Sequence, residues 1–386
     1  MNKLYFILIF CMPIVQAAND TDVRNLLTQL FTTNLYNKLV KPKINQSEPV
    51  VVFVDYYLFG INDLNEVEQK LTTTGFLEII WKDEFLTWEP MSYGNLESLY
   101  IPQDDIWKPD ISLENGINNL EELGSSFIQV IIESSGFVYW YPFQIFESKC
   151  YLDSTYFPFD HQTCDLEFVV WSFDSEDVNL FVKKDGISMN RATNKNGEWN
   201  LVASSSMNLT ENIESKIRFS ITMKRKPLFV VINIIIPIIL LSILNIFTFQ
   251  IPTDTGERMG YTITVWLAFA VFLTIVSASL PKSSDTVPLL SIYIIIQLGV
   301  GTITVLISSI ESRVVGRSND QPVAWYLRQI AIKCRRPRVA LTDEKINTNA
   351  SWKDGIDAID SCLFWCLLVL LAIVTFVIMM IAALSK

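Results

Sequence analysis

The sequence of 386 residues predicts an extracellular immunoglobulin-like β-sandwich followed by a four-helix transmembrane bundle, in a multi-domain membrane protein. Three observations predict this architecture. The amino terminus has the form of a signal peptide, short strand-like runs separated by turn residues follow it, and four long apolar segments come after Pro227.

The first 18 residues predict a cleaved signal peptide. Lys3 precedes an apolar stretch at 4–15, and Val15-Gln16-Ala17 supplies a small-residue cleavage site. A membrane helix is the alternative, but about 12 apolar residues are too few to cross a bilayer. We therefore expect the chain that follows to enter an oxidising, extracellular compartment.

Residues 19–226 predict the extracellular domain. Asp22 is expected to cap a first helix, which has an apolar stripe. The stripe comprises Leu26, Leu27, Leu30 and Phe31. Acidic residues outnumber basic ones by 31 to 17 in this segment, which argues against a nucleic-acid partner. The excess charge could concentrate cations or serve solubility alone.

After Pro42 the sequence changes to short runs of β-branched and aromatic residues, the pattern of a sandwich. The predicted strands are 49–59, 75–86, 126–132, 136–146, 165–173 and 216–223. Glycosylation sequons on the predicted outside start at Asn19, Asn45 and Asn208. A fourth, at Asn349, falls on the predicted cytoplasmic side and should stay unmodified.

Four apolar segments are long enough to cross a bilayer as helices. They are 228–249, 259–280, 287–310 and 363–384. An even number of spans puts both termini on one side of the membrane, and the signal peptide makes that side the outside. A basic cluster at 333–338 agrees with a cytoplasmic loop. The predicted domains are residues 227–310 with three helices, a cytoplasmic loop at 311–360 with a helical stretch near 325–333, and 361–386 with the fourth helix and a short extracellular end.

Cys150 and Cys164 are the only cysteines of residues 19–226, so a disulfide between them is the simple expectation. Cys334, Cys362 and Cys366 lie in or beside the predicted membrane region and should be free thiols. Cys362 and Cys366 also have the spacing of a metal pair, but no histidine or carboxylate completes such a site. We expect no metal ion and no cofactor.

The segment 150–164, CYLDSTYFPFDHQTC, resembles the loop that names the Cys-loop receptors, which include nicotinic acetylcholine, serotonin type 3, glycine and GABA type A receptors. WKDEFLTW at 81–88 and IWKPDI at 106–111 are similar to two further segments of that family. NGEW at 196–199 and MKR at 223–225 match its nicotinic branch, and Pro237 stands where the family has a proline in its first membrane helix. The resemblance covers nearly the whole mature chain.

The resemblance implies one subunit of a pentameric, ligand-gated, cation-selective channel of the nicotinic/serotonin type, in the plasma membrane and possibly in a postsynaptic one. Its partners would be four further subunits, a small cationic or amphipathic ligand, Na⁺ and K⁺, and membrane lipid. An accessory subunit that binds no agonist is the alternative. Enzymatic activity is not expected, because the lone histidine, His161, has no paired base or metal cluster. His161 could sense protons or be a bystander.

The second apolar segment has small and hydroxyl side chains at intervals of three to four, which line a pore or pack helix against helix. They are Gly260, Thr264, Leu267, Val271, Thr274 and Ala278. The resemblance favours a pore, with Leu267 at its gate. Rings of Glu257 and Asp254 would attract cations at the inner mouth. Ala278 stands where an acidic residue is common, which argues against high divalent permeability.

The resemblance also implies a ligand site between subunits. Trp171 matches the central tryptophan of its principal face, and Phe76 matches an aromatic position on the complementary face. Tyr139, Tyr141 and Ile131 lie on strands near Phe76 and offer apolar contact to a bulky amphipathic ligand. Trp81 and Trp107 are expected in the core instead.

Two departures weaken that site. Glu114 replaces a usual tyrosine, and the hairpin between Trp199 and Phe219 is short and lacks aromatic residues and cysteines. Glu114 and Glu214 could instead hold a primary amine or another cation, or the site could be vestigial.

The resemblance finally implies a junction between the two domains. A salt bridge joins Glu66 to Arg225, and the linker at 284–288, which ends at Pro288, meets part of the Cys-loop. The loop residues concerned are Phe157, Pro158, Phe159 and Asp160.

Overall fold

A computed structural model of the chain describes residues 18–118, 120–189, 196–211, 213–253, 256–278, 286–315 and 352–384. Several predictions fall outside these residues: nearly all of the signal peptide, Asp254, Asn349, Cys334 and most of the cytoplasmic loop with its basic cluster. The described chain has a domain of two sheets followed by helices long and apolar enough to span a membrane.

The extracellular domain opens with helix α1 (Asp20–Leu27), and within the described residues twelve strands follow. The strands are β1 (Val50–Asn65), β2 (Lys70–Lys82), β3 (Ser98–Pro102), β4 (Ile111–Leu113), β5 (Gln129–Glu133), β6 (Phe137–Trp140), β7 (Phe143–Lys149), β8 (His161–Val170), β9 (Val178–Val182), β10 (Ser188–Met189), β11 (Trp199–Glu211) and β12 (Glu214–Arg225). The larger sheet has the order β10-β1-β2-β6-β5-β3, with β7 also paired to β2 and β9 to β1. The smaller sheet has the order β11-β12-β8-β4.

The core lies between the two sheets. Tyr56 and Phe146 of the larger sheet meet Phe219 and Phe168 of the smaller one, with ring centroids 5.9 and 5.3 Å apart. Along β8 and β12, every second side chain joins this core and the alternate ones face outward, as the pleat requires. The sandwich prediction is confirmed.

Several predicted elements differ in detail. Asn19, and not Asp22, caps α1: the Asn19 side chain accepts from the Asp22 amide, and the Asp22 carboxylate accepts from the Asn19 amide. Leu27 of the predicted stripe is exposed. The run predicted at 136–146 is two strands, β6 and β7, because the chain passes from one to the other through Pro142, which has no amide to donate.

The strands predicted from the sequence did not include β3, β4, β9 or β10, and β11 was expected only as one arm of the hairpin between Trp199 and Phe219. β3, β4, β9 and β10 are only two to five residues long, too short to show a period. β11 reads WNLVASSSMNLTE, and its serines and asparagine hide the alternation. Its pairing partner β12 holds it in place over nearly its whole length.

The membrane region contains helices α2 (Leu228–Gln250), α3 (Glu257–Ala278), α4 (Leu289–Val315) and α5 (Trp352–Leu384). A π-helical turn at Val231–Ile235 in α2 comes just before Pro237, whose missing N–H breaks the helical hydrogen-bond ladder. α5 begins well before the predicted residue 363. Its first turns carry charged residues, which a search for apolar segments leaves out.

Arg258 ties three membrane helices together at one end of the bundle. Its buried guanidinium, at the start of α3, donates to both carboxylate oxygens of Asp360 on α5, at 2.7 and 2.9 Å, and to Glu311 on α4 at 2.7 Å. The ring of Phe249 at the end of α2 lies 5.4 Å away. A buried charge is tolerated only when paired in this way.

Replacing Arg258 by Gln should destabilise the membrane region by about 3–5 kcal/mol, because the two buried carboxylates would lose their common partner. The measurement is the midpoint of thermal unfolding of the detergent-solubilised protein. Arg313→Gln, which removes an exposed cation near the end of α4, is the matched control. A wild-type midpoint for Arg258→Gln would contradict the assignment.

Candidate functional site

Helix α3 has two chemically different faces. The buried face comprises Arg258, Thr262, Val265, Phe269 and Val276. The predicted stripe lies on the other side and is exposed throughout: Gly260, Thr264, Leu267, Val271, Thr274 and Ala278. Glu257, one turn before the stripe, is exposed as well. At 100° per residue the two sets point in roughly opposite directions.

Within the described part of the chain, the stripe is not buried against the other helices. Leu267 is 55% exposed, and the hydroxyls of Thr264 and Thr274 donate to carbonyls of their own helix at 2.7 and 2.6 Å. The packing contacts of α3 use other residues, such as Trp266, whose indole N–H donates to Thr302 of α4 at 2.9 Å. In the single chain, this face is therefore available to water or to further subunits.

Arg225 stands at the junction between the two domains. It ends β12 and is separated from α2 by two residues. Its side chain is buried, pairs with Glu66 at 2.5 Å and with Asp160 at 2.7 Å, and lies between the rings of Trp199 and Phe157, 4.3 and 4.7 Å from their centroids. Burial raises the pKa of the Glu66 carboxyl, and the positive charge of Arg225 opposes that effect. The sequence pointed to Glu66 as the partner; the structure adds Asp160, with two hydrogen bonds.

The disulfide loop contacts the membrane helices. Cys150 and Cys164 are bonded, as predicted. Phe157 packs in the same buried cluster as Val230 of α2 and Leu290 of α4. The carbonyl of Thr155 accepts from the Leu289 amide at 3.0 Å, at the first residue of α4. Pro158 and Pro288 are buried and Phe159 is half-buried, so the loop is held against the bundle.

Trp171 lies on the outward side of the smaller sheet, just after β8, and is 60% exposed. Its amide donates to the Asp110 carbonyl at 3.2 Å, and the next amide, of Ser172, donates to the Asp110 carboxylate at 2.7 Å. These bonds fix the backbone beneath an indole ring that remains available to a ligand.

The two carboxylates that the sequence offered for a ligand amine already hold an ammonium group of the chain itself. Lys216, on β12, pairs with Glu114 at 2.7 Å and with Glu214 at 2.6 Å, and its side chain is 12% exposed. These hydrogen bonds raise the pKa of Lys216, so it stays charged. Sequence reasoning missed Lys216. The alternation of β12 could have placed it outward beside Glu214.

Phe76 lies in an aromatic cluster on the outward side of the larger sheet. It stacks on Tyr57, with centroids 4.7 Å apart and planes 4° from parallel, and meets Phe59 and Tyr141 at 5.6 and 5.9 Å. Lys184 lies 4.9 Å from the Tyr57 ring. Tyr139, on β6, pairs with Ile131, on β5, so the predicted residues of this face are neighbours.

Trp171 and Phe76 are not brought together within the chain. They belong to the outward faces of two sheets that pack through their inner faces, so they look away from each other. One binding site that uses both residues needs two chains. Trp81 and Trp107 form an edge-to-face pair in the core, 5.9 Å apart, as predicted.

Other predicted residues lie on the surface. Asn19, Asn45 and Asn208 are exposed. Cys362 and Cys366 are exposed free thiols on α5, and no group of metal-ligating side chains occurs among the described residues.

Comparison with known proteins agrees with this architecture. The family models for the neurotransmitter-gated ion-channel ligand binding domain and transmembrane region match residues 23–227 and 234–344. Neuronal acetylcholine receptor subunit alpha-6 of Rattus norvegicus is 34% identical over 289 residues, 72% of this chain and 58% of the relative. Subunit beta-2 of the same species is 32% identical over 338 residues, 83% and 67% of the two chains.

The chain thus spans less than two thirds of the alpha-6 subunit's length, and the same holds for subunit beta-4 of Gallus gallus, which is 34% identical over 73% of this chain and 60% of its own. The family models nevertheless cover the sandwich and the helices α2, α3 and α4. The chain belongs to the neurotransmitter-gated ion-channel family, the Cys-loop receptors, on its nicotinic branch.

Proposed function

We propose that this chain is a subunit of a pentameric cation channel that opens when a ligand binds between the extracellular domains of two subunits. The observation that carries the proposal is the exposed stripe of α3, which points away from the other helices of its own chain. Five such stripes around an axis would line a water-filled path. The relatives are neuronal acetylcholine receptor subunits, which supports the same assembly.

The stripe residues suggest how the path selects and closes. Five copies of Glu257 would form a carboxylate ring that attracts Na⁺ and K⁺, and Asp254, nearby in sequence, would add to it. Five copies of Leu267 would form an apolar constriction that closes by dewetting. Ala278 contributes no charge at the other end of the helix, so the ring at Glu257 dominates selectivity.

Replacing Glu257 by Gln should lower single-channel conductance and cation preference, because the ring would lose its charge. Current recording from cells that express this chain, with reversal potentials in sodium and chloride gradients, measures both. Glu176→Gln, an exposed carboxylate of the extracellular domain, is the control. A wild-type reversal potential that follows chloride would refute the proposed selectivity.

The ligand would contact Trp171 of one subunit and the cluster around Phe76 of the next. An aromatic face attracts a cation by about 0.5–2 kcal/mol, which alone holds a small cation weakly because association has its own entropic cost. Apolar contact with Tyr139, Tyr141 and Ile131 would add affinity for a bulkier molecule. The proposed ligand is therefore an amphipathic cation.

Trp171→Ala should weaken binding of benzyltrimethylammonium, an amphipathic test cation, by a factor of about 2 to 30, the equivalent of one aromatic face. Titration calorimetry on the purified pentamer measures the change. Phe127→Ala removes another exposed ring and should leave binding unchanged. Equal affinities for wild type and Trp171→Ala would remove Trp171 from the site.

Opening would pass from the sandwich to the bundle through the disulfide loop. The contact made by Phe157 can be tested, since its ring lies against Arg225 and also packs among membrane-helix residues. Phe157→Ala should keep ligand binding and assembly but abolish or strongly reduce current, because the loop would lose its contact with α2 and α4. Current of wild-type size, measured per surface pentamer, would exclude this route.

An accessory role within a heteromeric channel is the second candidate. The Lys216 bridge favours it, because the carboxylates of the principal face are engaged within the chain. Expression of this chain alone separates the two: an accessory subunit gives no current without partners. In either role we place the chain in the plasma membrane of a postsynaptic cell, among lipid, with both termini outside and glycans on Asn19, Asn45 and Asn208.

A further inference from the structure

The outward side of the smaller sheet forms a regular grid around Trp171. Glu167, Val169 and Trp171 alternate outward along β8 and just past it, and Lys216 of β12 pairs directly with Val169. On the other side of β8, Ser112 of β4 pairs with the same Val169. Lys216 therefore lies one outward position from Trp171, on the face where a ligand would contact the indole.

The ammonium of Lys216 fills the space between two carboxylates of this grid. Glu114 lies just beyond β4, and Glu214 begins β12, so the two acids approach from opposite sides of β8. Lys216 donates a hydrogen bond to Glu114 and also pairs with Glu214, from the strand position opposite Val169, which is buried. The ammonium group of a ligand could not bind both carboxylates, because Lys216 already occupies the position between them.

The hairpin that carries Lys216 is pinned in place by further bonds. The Ser175 amide, in the loop after Trp171, donates to the Ile213 carbonyl at the hairpin tip at 2.7 Å. The Ser215 hydroxyl accepts from the Leu180 amide at 2.8 Å and donates to the Asn179 side chain at 2.9 Å. The strand that carries Lys216 is thus fixed, and the two carboxylates hold its ammonium group.

An ordinary surface ion pair is the plainer interpretation. Lys108 also bridges two carboxylates, Asp104 and Glu122, at 3.0 and 2.6 Å, so the arrangement alone does not mark a function. The location does: Lys216 lies one outward position from the exposed indole, on a pinned hairpin, and it pairs with both Glu114 and Glu214, whereas the Asp110 carboxylate beside Trp171 accepts from the Ser172 amide.

We infer that Lys216 determines specificity: it is a built-in cation that excludes small ammonium ligands from the principal face and leaves Trp171 to ligands that bind chiefly by apolar and ring contact. The inference rests on the proposed inter-subunit site. Removal of the ammonium should convert the position into a receptor for a free amine, since two carboxylates would then face an empty space of the size of the lost side chain.

The test is direct binding of n-butylammonium, which copies the missing side chain, to purified pentamers at constant ionic strength. Lys216→Ala should bind it at least about tenfold more tightly than wild type, a difference of about 1.4 kcal/mol. Lys216→Arg keeps the charge and should behave as wild type. Lys108→Ala is the matched control, because it frees a pair of carboxylates away from Trp171. Lys216→Ala should strengthen the binding of benzyltrimethylammonium that depends on Trp171, and Lys108→Ala should leave it unchanged.

Two results would overturn the inference: wild type binding n-butylammonium as tightly as Lys216→Ala, or an assembled Lys216→Ala pentamer with no gain. If Lys216→Ala does not assemble, Lys216→Met keeps an apolar stem at that position, and methylammonium is then the probe with the same expected direction. The readout needs no current. If the channel proposal is wrong, current is absent but Lys216→Ala still binds the amine more tightly than wild type. If the inference is wrong, current is present and Lys216→Ala shows no gain in amine binding.

Discussion

The pairing of Arg225 with two carboxylates between two aromatic rings is the interaction on which the rest of the structure depends. Strand β12 runs through the centre of the smaller sheet and leads into α2, so its last residue must satisfy both domains. Glu66 comes from the turn after β1, Asp160 from the disulfide loop, and Trp199 from the start of β11. Four separate parts of the extracellular domain thus meet on one guanidinium, and Phe157 carries the contact on into the membrane helices. A buried arginine is stable only with its partners in place, so the junction favours one arrangement over many.

The same device recurs at the other end of the bundle, where Arg258 holds α4 and α5 through Glu311 and Asp360. Arg258 joins one end of the helices directly, and Arg225 contacts Phe157, which packs among residues at the other end. Between them, the stripe of α3 is exposed among the described residues, and the hydroxyls of Thr264 and Thr274 bond within their own helix. This division suits a channel subunit: the scaffold is tied at both ends, and the face that would meet the ions is free to change its environment when the subunits move.

The sequence predicted the order of sandwich and helices because periodicity and segment length survive without any partner chain. It predicted the α3 stripe for the same reason. Its prediction for the ligand face was incomplete, since Glu114 and Glu214 look free in sequence and only the pairing of β12 with β8 brings Lys216 between them. Asp160 was placed at the junction but not as a partner of Arg225, because the family resemblance supplied the pair with Glu66 and no pattern in the sequence indicates a second carboxylate. The start of α5 was missed because it contains Asp360, and a charged residue does not fit a search for apolar segments. Asp360 is buried in this helix because it pairs with Arg258.

The most direct test of the central claim is amide hydrogen exchange at Leu289, whose N–H is donated to Thr155 of the disulfide loop, in a double-mutant cycle of Arg225→Gln and Asp160→Asn. If Arg225 holds the loop on the bundle, each single variant should speed exchange at Leu289, and the double variant should exchange little faster than either. The coupling free energy between the two substitutions should then lie within the range of about 0.5–3 kcal/mol found for residues in contact. Exchange at Leu289 that stays slow in both single variants, while the proteins remain assembled, would contradict the account.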